Sequence, residues 1–299
     1  MTGMETKKTF LKLLRDELFS WLPTQQRLAT AIDGLMLTRI DQQTSPEKCL
    51  YYPMIALVVQ GEKQAFYGEH EILYGAGEYV ILGSDMPGIF HIVESSPEHP
   101  FLSLSIRLDA RILAGLSLED GGDLPAGQGN DSAIGKEKAS ADILLAFYRL
   151  VRLLKEPRGI PLFAGPVIRE IHYAILKGGL GKKLRLAITP GTRDHRIAQS
   201  IAWLRGHFAE AFSMPGLARQ VNMAPSTFNR CFRETTSISP LQFQKRLRLY
   251  EAQRLMQREG LDARSASRRV GYESEAQFSR EYKRLFGQTP GRDSSRSLA

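Results

Sequence analysis

Only two cysteines, Cys49 and Cys231, occur in the 299 residues. Two thiols cannot build a disulfide framework, and their spacing fits no zinc finger. No apolar run approaches the roughly 18 residues that a bilayer span needs. The first residues, MTGMETKKTFLKLLRDELFSW, interrupt their apolar positions with charges and lack the unbroken apolar stretch of a secretory leader. A reducing cytoplasm, away from the membrane, is the expected address. Phe10, Leu13, Leu14, Leu18 and Trp21 instead share one face of a short helix.

Lysine is scarce in the last third, although cations are not. From Arg193 to Ala299 there are 19 Lys and Arg against 10 Asp and Glu, and only Lys245 and Lys283 are lysines. The preceding residues are nearly neutral. Arginine suits planar, bidentate contacts to phosphates and guanine edges. A hydrophobic content of 42% is enough for packed cores, and the length suits two domains.

The basic third reads as a run of short helices. Ile197, Ile201, Leu204 and Phe208 form one apolar face. Ser213 is a candidate N-cap with Pro215 in the first turn, and Leu217, Ala218 and Val221 give the next helix its buried side. After a break at Asn222-Met223-Ala224, a further helix opens at Pro225. Phe228, Cys231 and Phe232 mark its inner face, while Ser226, Asn229, Arg230 and Arg233 share the opposite one. A short helix, a tight turn and a helix with a hydrogen-bonding stripe make a helix-turn-helix, whose second helix enters the DNA major groove. An amphipathic surface helix with no such role has the same local pattern.

The pattern recurs. Pro240 starts a long helix carrying Arg246, Arg248, Arg254 and Arg258. After Glu259-Gly260 come a short helix from Ala263 to Val270 and a Gly271-Tyr272 turn. A last helix from Ser274 to Leu285 has Phe278, Tyr282 and Leu285 inward and Glu275, Gln277, Ser279, Arg280 and Lys283 outward. Two such units on one connecting helix are more specific than composition.

The stretches LARQVNMAPSTFNRCFRETTSISPLQFQKRLRLYEAQRLM and VGYESEAQFSREYKRLFGQTP resemble the AraC/XylS family of bacterial regulators, over about Ile197 to Pro290. The resemblance implies that Ser226, Asn229 and Arg230 read bases in the first unit, and Glu275, Gln277, Ser279 and Arg280 in the second. Promoter DNA is the implied partner, with RNA polymerase and a second copy of the chain as further candidates. Two features depart from the family pattern. Ala263, Ala266 and Ser267 stand where larger aliphatics are usual, so that helix should pack more weakly. Gly291-Arg292-Asp293 replaces an aromatic-Arg pair.

Between Met54 and Leu108 the period changes to two. IALVVQ, KQAFY, YVIL and GIFHIVE read as strands separated by turns at Gly61, Gly68, Gly75-Ala76-Gly77 and Gly83-Ser84-Asp85. In the last strand Leu102, Leu104, Ile106 and Leu108 face one way, and Ser103, Ser105 and Arg107 the other. Such strands imply a small β-sandwich or barrel whose interior could hold a small molecule. The stretch from YYPMIALVVQGEK to SIRLD, above all VVQGEK and SDMP, resembles the cupin-like N-terminal module of one AraC-type subfamily, which implies an effector-binding or regulatory role and brings no catalytic residues with it.

Tyr52, Phe66, Tyr67, Phe90 and His91, with Tyr51, are candidates for lining an effector pocket, and plain core is the alternative. His70, His91 and His99, among Glu62, Glu69, Glu71, Glu78 and Glu94, show no His-x-His pair, so no metal or other cofactor is expected. The rival reading is a cupin-type metalloenzyme fused to a DNA-binding domain. Cys49 is read as an inert thiol rather than a redox sensor. Gly115 to Gly135 reads as a mobile loop. Two apolar-striped helices follow (Ile143, Phe147, Leu150, Val151 and Leu154; Ile168, Ile171, Ile175 and Leu176), as a dimer interface or a cover for the barrel, with His172 a structural histidine.

The expectation is therefore an α+β multidomain chain, not an enzyme. Residues 1–180 form a cupin-like regulatory domain with a helical hairpin, 181–194 a linker, and 195–292 an all-α domain with two helix-turn-helix units.

Overall fold

A computed structural model describes residues 3–67, 70–120 and 134–295. The chain divides into two compact units, one of residues 1–47 and 51–195 and the other chiefly of residues 196–299.

The first unit opens with α1 (Gly3–Trp21) and builds two antiparallel sheets. The larger has the order β1 (Gln26–Ala29), β2 (Met36–Ile40), β9 (Phe101–Arg107), β4 (Met54–Gln60), β7 (Glu78–Leu82), β10 (Ile134–Lys138). The smaller has the order β3 (Glu47–Tyr51), β8 (Met86–Glu94), β5 (Glu62–Tyr67), β6 (His70–Gly75). Register places Leu37, Leu104, Leu57 and Tyr79 in one row across four strands of the larger sheet. Alternation then commits Ile55, Ile81, Leu102 and Ile106 to the same face. That face packs on Leu14 and Leu18 of α1, on Phe147 and Leu150 of α3 (Ala141–Leu153), and on Ile171 and Ile175 of α4 (Ile160–Lys177). The apolar stripes of the helical hairpin are thus consumed as a cover for the sheet, rather than left free for a second copy of the chain.

Both ends of the loop expected from Gly115 to Gly135 lie in regular elements. Its first residues end α2 (Ala110–Glu119), where Asp109 caps Arg111 N and Leu113 and Leu116 are buried. Ile134 and Gly135 belong to β10; residues 121–133, like the predicted turn at Gly68 and Glu69 beside it, lie outside the described residues. Within 181–194, α5 (Gly181–Ile188) takes the place of a linker, burying Leu184 and Leu186. Its Arg185 bonds the Leu176 carbonyl at 3.0 Å and Asp120 at 2.9 Å. Leu180, Leu184 and Ile188, four apart, are the helical signal there, masked by the lysines between them.

The second unit is all-helical: α6 (Arg193–Gly206), α7 (Met214–Gln220), α8 (Pro225–Thr236), α9 (Pro240–Glu259), α10 (Ala263–Arg269), α11 (Glu275–Phe286) and α12 (Pro290–Ser295). It has two cores. One gathers Ile201, Leu217, Phe228, Phe232 and Phe243; the other gathers Leu255, Met256, Ala266, Val270, Phe278 and Tyr282. Among the described residues no helix is long and apolar enough to cross a membrane.

Candidate nucleic-acid interface

Ser213 Oγ accepts the Gly216 N–H at 3.1 Å, and Pro215 follows in the first turn, so α7 starts where its orphan donors are met. Leu217 and Ala218 are buried. The turn is made by Asn222 at φ 54, a left-handed conformation that asparagine tolerates, and closed by Met223 N–H on the Ala218 carbonyl at 2.9 Å. Pro225 then opens α8. Its inner face is anchored by Phe228, whose ring is 5.6 Å from Phe232, which in turn meets Phe243 of α9 edge-on at 5.5 Å. With this face locked, Ser226, Arg230 and Arg233 stand exposed and Asn229 half-buried. No carboxylate among the described residues pairs with Arg230 or Arg233, so both guanidinium groups are available to an anion.

The second unit repeats the plan with different side chains. Asp262 caps α10 by accepting the Ser265 N–H at 2.6 Å, a bond that holds its carboxyl below the ordinary aspartate range. Ala266, Ser267 and Val270 are fully buried, and the Ser267 hydroxyl donates to the Arg264 carbonyl at 2.8 Å. Ser274 caps α11 on Gln277 N, and the rings of Tyr272, Phe278, Tyr282 and Phe286 run in contact along its inner side. Glu275, Gln277, Ser279, Arg280 and Lys283 are all exposed, as predicted from helical spacing. Two of them are engaged within the chain: Glu275 pairs with Arg264 at 2.8 Å, and Gln277 donates to Glu281 at 3.1 Å. Arg280 and Lys283 have no carboxylate partner among the described residues.

The four arginines predicted on α9 divide by task. Arg246, half-buried, and Arg258, exposed, have no carboxylate partner among the described residues. Arg254 is held by Glu251 at 2.7 Å and Glu259 at 3.0 Å. Arg248 is spent on backbone carbonyls. Sequence reasoning passed over Arg268 and Arg269, exposed at the end of α10; the adjacent pair was visible as a local concentration of charge.

The effector-pocket candidates of the first unit do not converge. Tyr67 and Phe90 are buried, and their rings flank Tyr51 at 5.3 and 6.1 Å, with Lys63 Nζ 4.1 Å from the Phe90 centroid. Phe66 and His91 neighbour them in sequence, so alternation turns both to the opposite face, where their rings stack at 6.2 Å. Tyr52, past the end of β3, is 48% exposed. Two grooves lie between α1 and the rim of the sheets, of about 350 and 570 Å³, and share Lys8, Leu11, Glu62, Gly75 and Ala76. None of the five candidates lines either groove. His70, His91 and His99 sit on separate elements, and no three His, Cys, Asp or Glu among the described residues are grouped as metal ligands would be.

Comparison with known proteins decides the family. The family model for the AraC-type transcriptional regulator N-terminus matches residues 31–183, half of the chain, and a helix-turn-helix domain model matches residues 217–296. The chain belongs to the AraC-type transcriptional regulators. It is similar to the HTH-type transcriptional activator RhaS of Escherichia fergusonii, 32% identical over 132 residues that cover 42% of this chain and 47% of that protein. The RhaS of Enterobacter sp. (strain 638) is 31% identical over 107 residues, 34% of this chain and 38% of the relative. The match thus spans less than half of either relative. Among solved structures, an apo variant of ToxT from Vibrio cholerae shares the fold with a TM-score of 0.61 at 10% identity, over 89% of this chain and 99% of that one. ToxT bound to an unsaturated fatty acid gives 0.58 at 9% identity, over 91% and 97%.

Proposed function

We propose that this AraC-type chain is a sequence-specific regulator that binds promoter DNA through α8 and α11 in successive major grooves. The observation that carries this reading is the paired construction of the second unit. Each of the two helices is fixed by a buried aromatic face, and each presents arginine and hydrogen-bonding side chains on the other. Ser226, Asn229, Arg230, Ser279 and Arg280 are the proposed base readers; Arg233, Arg246 and Lys283 neutralise phosphates. Glu275 and Gln277 read bases only after leaving Arg264 and Glu281. Phosphate contacts position the protein and base-edge contacts choose the sequence.

The first unit, by the same proposal, is the effector-binding module, its domain covering residues 1–180 and the α5 segment leading to 195–292. The site lies on the face that carries Tyr51, Lys63, Tyr67 and Phe90. Its three rings are buried in mutual contact, with Lys63 Nζ 4.1 Å and the Arg27 guanidinium 5.5 Å from the Phe90 centroid, so an apolar acid that parts the rings would meet aromatic surface and positive charge together. ToxT bound to an unsaturated fatty acid supports that chemistry. Leu162 and Phe163 of α4, adjacent and 68% and 58% exposed, are the apolar surface we assign to a second copy. Action in the cytoplasm at a promoter, where RNA polymerase is the natural partner, completes the reading, with no enzymatic role.

The test is selection of sequences from a random duplex pool by the full-length chain, followed by anisotropy titration with and without oleic acid. A recovered motif of two subsites, bound at least about 10³-fold more tightly than random DNA, is the expected result. Failure to enrich any sequence would end the DNA-binding reading, and an affinity and thermal midpoint indifferent to the acid would end the effector reading.

A further inference from the structure

Arg248 lies near the middle of α9, the helix that joins the two helix-turn-helix units. Its guanidinium is turned to the backbone. Nε donates to the Phe208 carbonyl at 2.6 Å, Nη2 to the Ala209 and Glu210 carbonyls at 3.2 and 3.1 Å, and Nη1 to the Gly271 carbonyl at 2.8 Å. The first three carbonyls belong to the loop between α6 and α7, at the entrance to the first unit. The fourth belongs to the turn between α10 and α11, inside the second. One side chain therefore holds a loop of one unit against the turn of the other.

The surrounding contacts make the joint tight. Gln244, about one turn earlier on α9, donates to the Glu210 carbonyl at 2.6 Å. Gly271 sits at φ +85, and a Cβ there would lie 2.1 Å from the Ala209 carbonyl oxygen, so loop and turn touch backbone to backbone. Phe208 packs against both cores of the unit. The Tyr272 ring lies 5.8 Å from the guanidinium carbon. Arginine is suited to this position because its planar fork directs five N–H groups at separate acceptors, whereas lysine donates from a single point.

We infer that Arg248 is a positioning residue that fixes the separation and angle of α8 and α11, and so determines which spacing between two DNA subsites the chain accepts. The inference rests on the reading that these helices enter successive major grooves. Subsites one helical turn apart are roughly 34–36 Å from centre to centre. One inserted base pair moves a subsite by about 3.4 Å along the axis and turns it by about 35°, a change that a clamped pair of helices cannot follow. Without the clamp, α9, the Gln244 bond and the packing of Phe208 still join the units, but the four bonds that tie the loop to the turn through one side chain are gone, and small rotations between the units cost less.

The experiment uses the full-length chain and the motif recovered by selection, in versions with one base pair inserted or removed between the subsites. For the wild type, either change should weaken binding by about tenfold or more, the scale of a lost base contact. Arg248→Lys should bind the parent site less tightly, but its spacing penalty should shrink to about threefold or less, with the base preferences within each subsite unchanged. A merely structural role would lower affinity for all spacings by one common factor. The inference is overturned if the wild type already tolerates the insertion, or if folded Arg248→Lys keeps the full penalty. Should Arg248→Lys fail to fold, Gln244→Ala, which removes one bond of the same joint, should relax the penalty in the same direction, and an unchanged penalty there overturns the inference as well. Absence of any selected motif is a separate outcome: it defeats the DNA-binding reading itself, and this inference with it.

Discussion

The phenol oxygen of Tyr282 and Oδ2 of Asp293 lie 2.5 Å apart, tying α11 to α12. The same carboxylate, 5% exposed, accepts Gln253 at 2.8 Å on Oδ2, and Gln288 at 2.5 Å and Gln257 at 3.3 Å on Oδ1. Burial first, and then the bond to Asp293, push the Tyr282 phenol well above the ordinary tyrosine range, so it remains a donor. The departure at Gly291-Arg292-Asp293 therefore has a structural use: it supplies the acceptor on which the last helix closes. Asp293→Ala strands a fully buried phenol, and at roughly 1–3 kcal/mol for an orphaned buried group the second unit should lose about that much. Urea unfolding of the full chain checks this, and a loss below about 1 kcal/mol would mean that water replaces the carboxylate.

A pH-dependent contribution comes from His172, fully buried beneath α2. Its Nε2 accepts the Asp109 N–H at 3.0 Å, which leaves the proton on Nδ1, 2.8 Å from the Ile168 carbonyl. Burial pushes this imidazole below the ordinary histidine value; the Ile168 carbonyl and Asp109 oppose the shift without reversing it. The unfolded chain, titrating near 6.5, thus takes up the proton first. The contribution is complete above about pH 6.5 and is lost as pH falls towards the folded value. The thermal midpoint of the first unit should drop between pH 7.5 and 5.5, and His172→Gln should flatten that drop. Parallel pH profiles for the two proteins would rule out His172 as its source.

How much of this was legible in the sequence depends on the element. The helices of the second unit up to α11 could be placed from apolar spacing and caps, because Ser213, Pro225, Ser239-Pro240 and Ser274 each stop or start a helix by local chemistry; α12, too short to show an apolar period, could not. Exposure of Arg230 and Arg280 followed from Phe228 and Phe278 being buried. In the first unit, alternation in Leu102–Leu108 showed that the faces differ, but not that the leucine face meets helices. Phe66 and Tyr67 looked equivalent as pocket residues, since aromatic content says nothing about the side of a strand that adjacent residues take. The α5 helix was hidden by its surface lysines. The part played by Arg248 was invisible, because its partners are carbonyls 23 to 40 residues away, and backbone acceptors leave no trace in sequence.

Salt dependence tests the electrostatic side of the proposal. Arg233, Arg246 and Lys283, and with them Arg258, Arg268 and Arg269, have no carboxylate partner among the described residues, unlike Arg254. Each phosphate they neutralise should add about −0.9 to the slope of log affinity against log salt. Four to six such contacts give a slope of roughly −4 to −5. Arg233→Ala should make the slope shallower by about one without changing the selected motif, whereas Arg230→Ala should relax the motif. A slope near zero for the wild type would contradict an arginine-lined phosphate face.

The two units should not contribute equally to base selection. In the first, Leu217 and Val221 pack α7 into the core that also anchors Phe228 and Phe232. In the second, Val270 matches Val221, but α10 has Ala266 and Ser267 where α7 has Leu217 and Ala218, so it removes less apolar area from water. Replacing a buried aliphatic by alanine forfeits on the order of 1–2 kcal/mol of burial, so α10 should open more often than α7. The reading helix α11 is itself well anchored, through the contact of Phe278 with Tyr272 and Tyr282. Its outward groups are the weaker point, because Glu275 must leave Arg264, and Gln277 must leave Glu281, before either meets a base. Both effects act in one direction. Amide exchange should be faster across Ala263–Arg269 than across Met214–Gln220, and Arg280→Ala should cost less specificity than Arg230→Ala, for which roughly 1–3 kcal/mol is expected. The variant Arg264→Ala separates the two causes, since it releases Glu275 of α11 without altering the α10 core. If it sharpens base preference at the second subsite, internal pairing is what restrains that unit. Equal protection of α10 and α7, with equal losses from Arg280→Ala and Arg230→Ala, would show instead that both units read DNA alike.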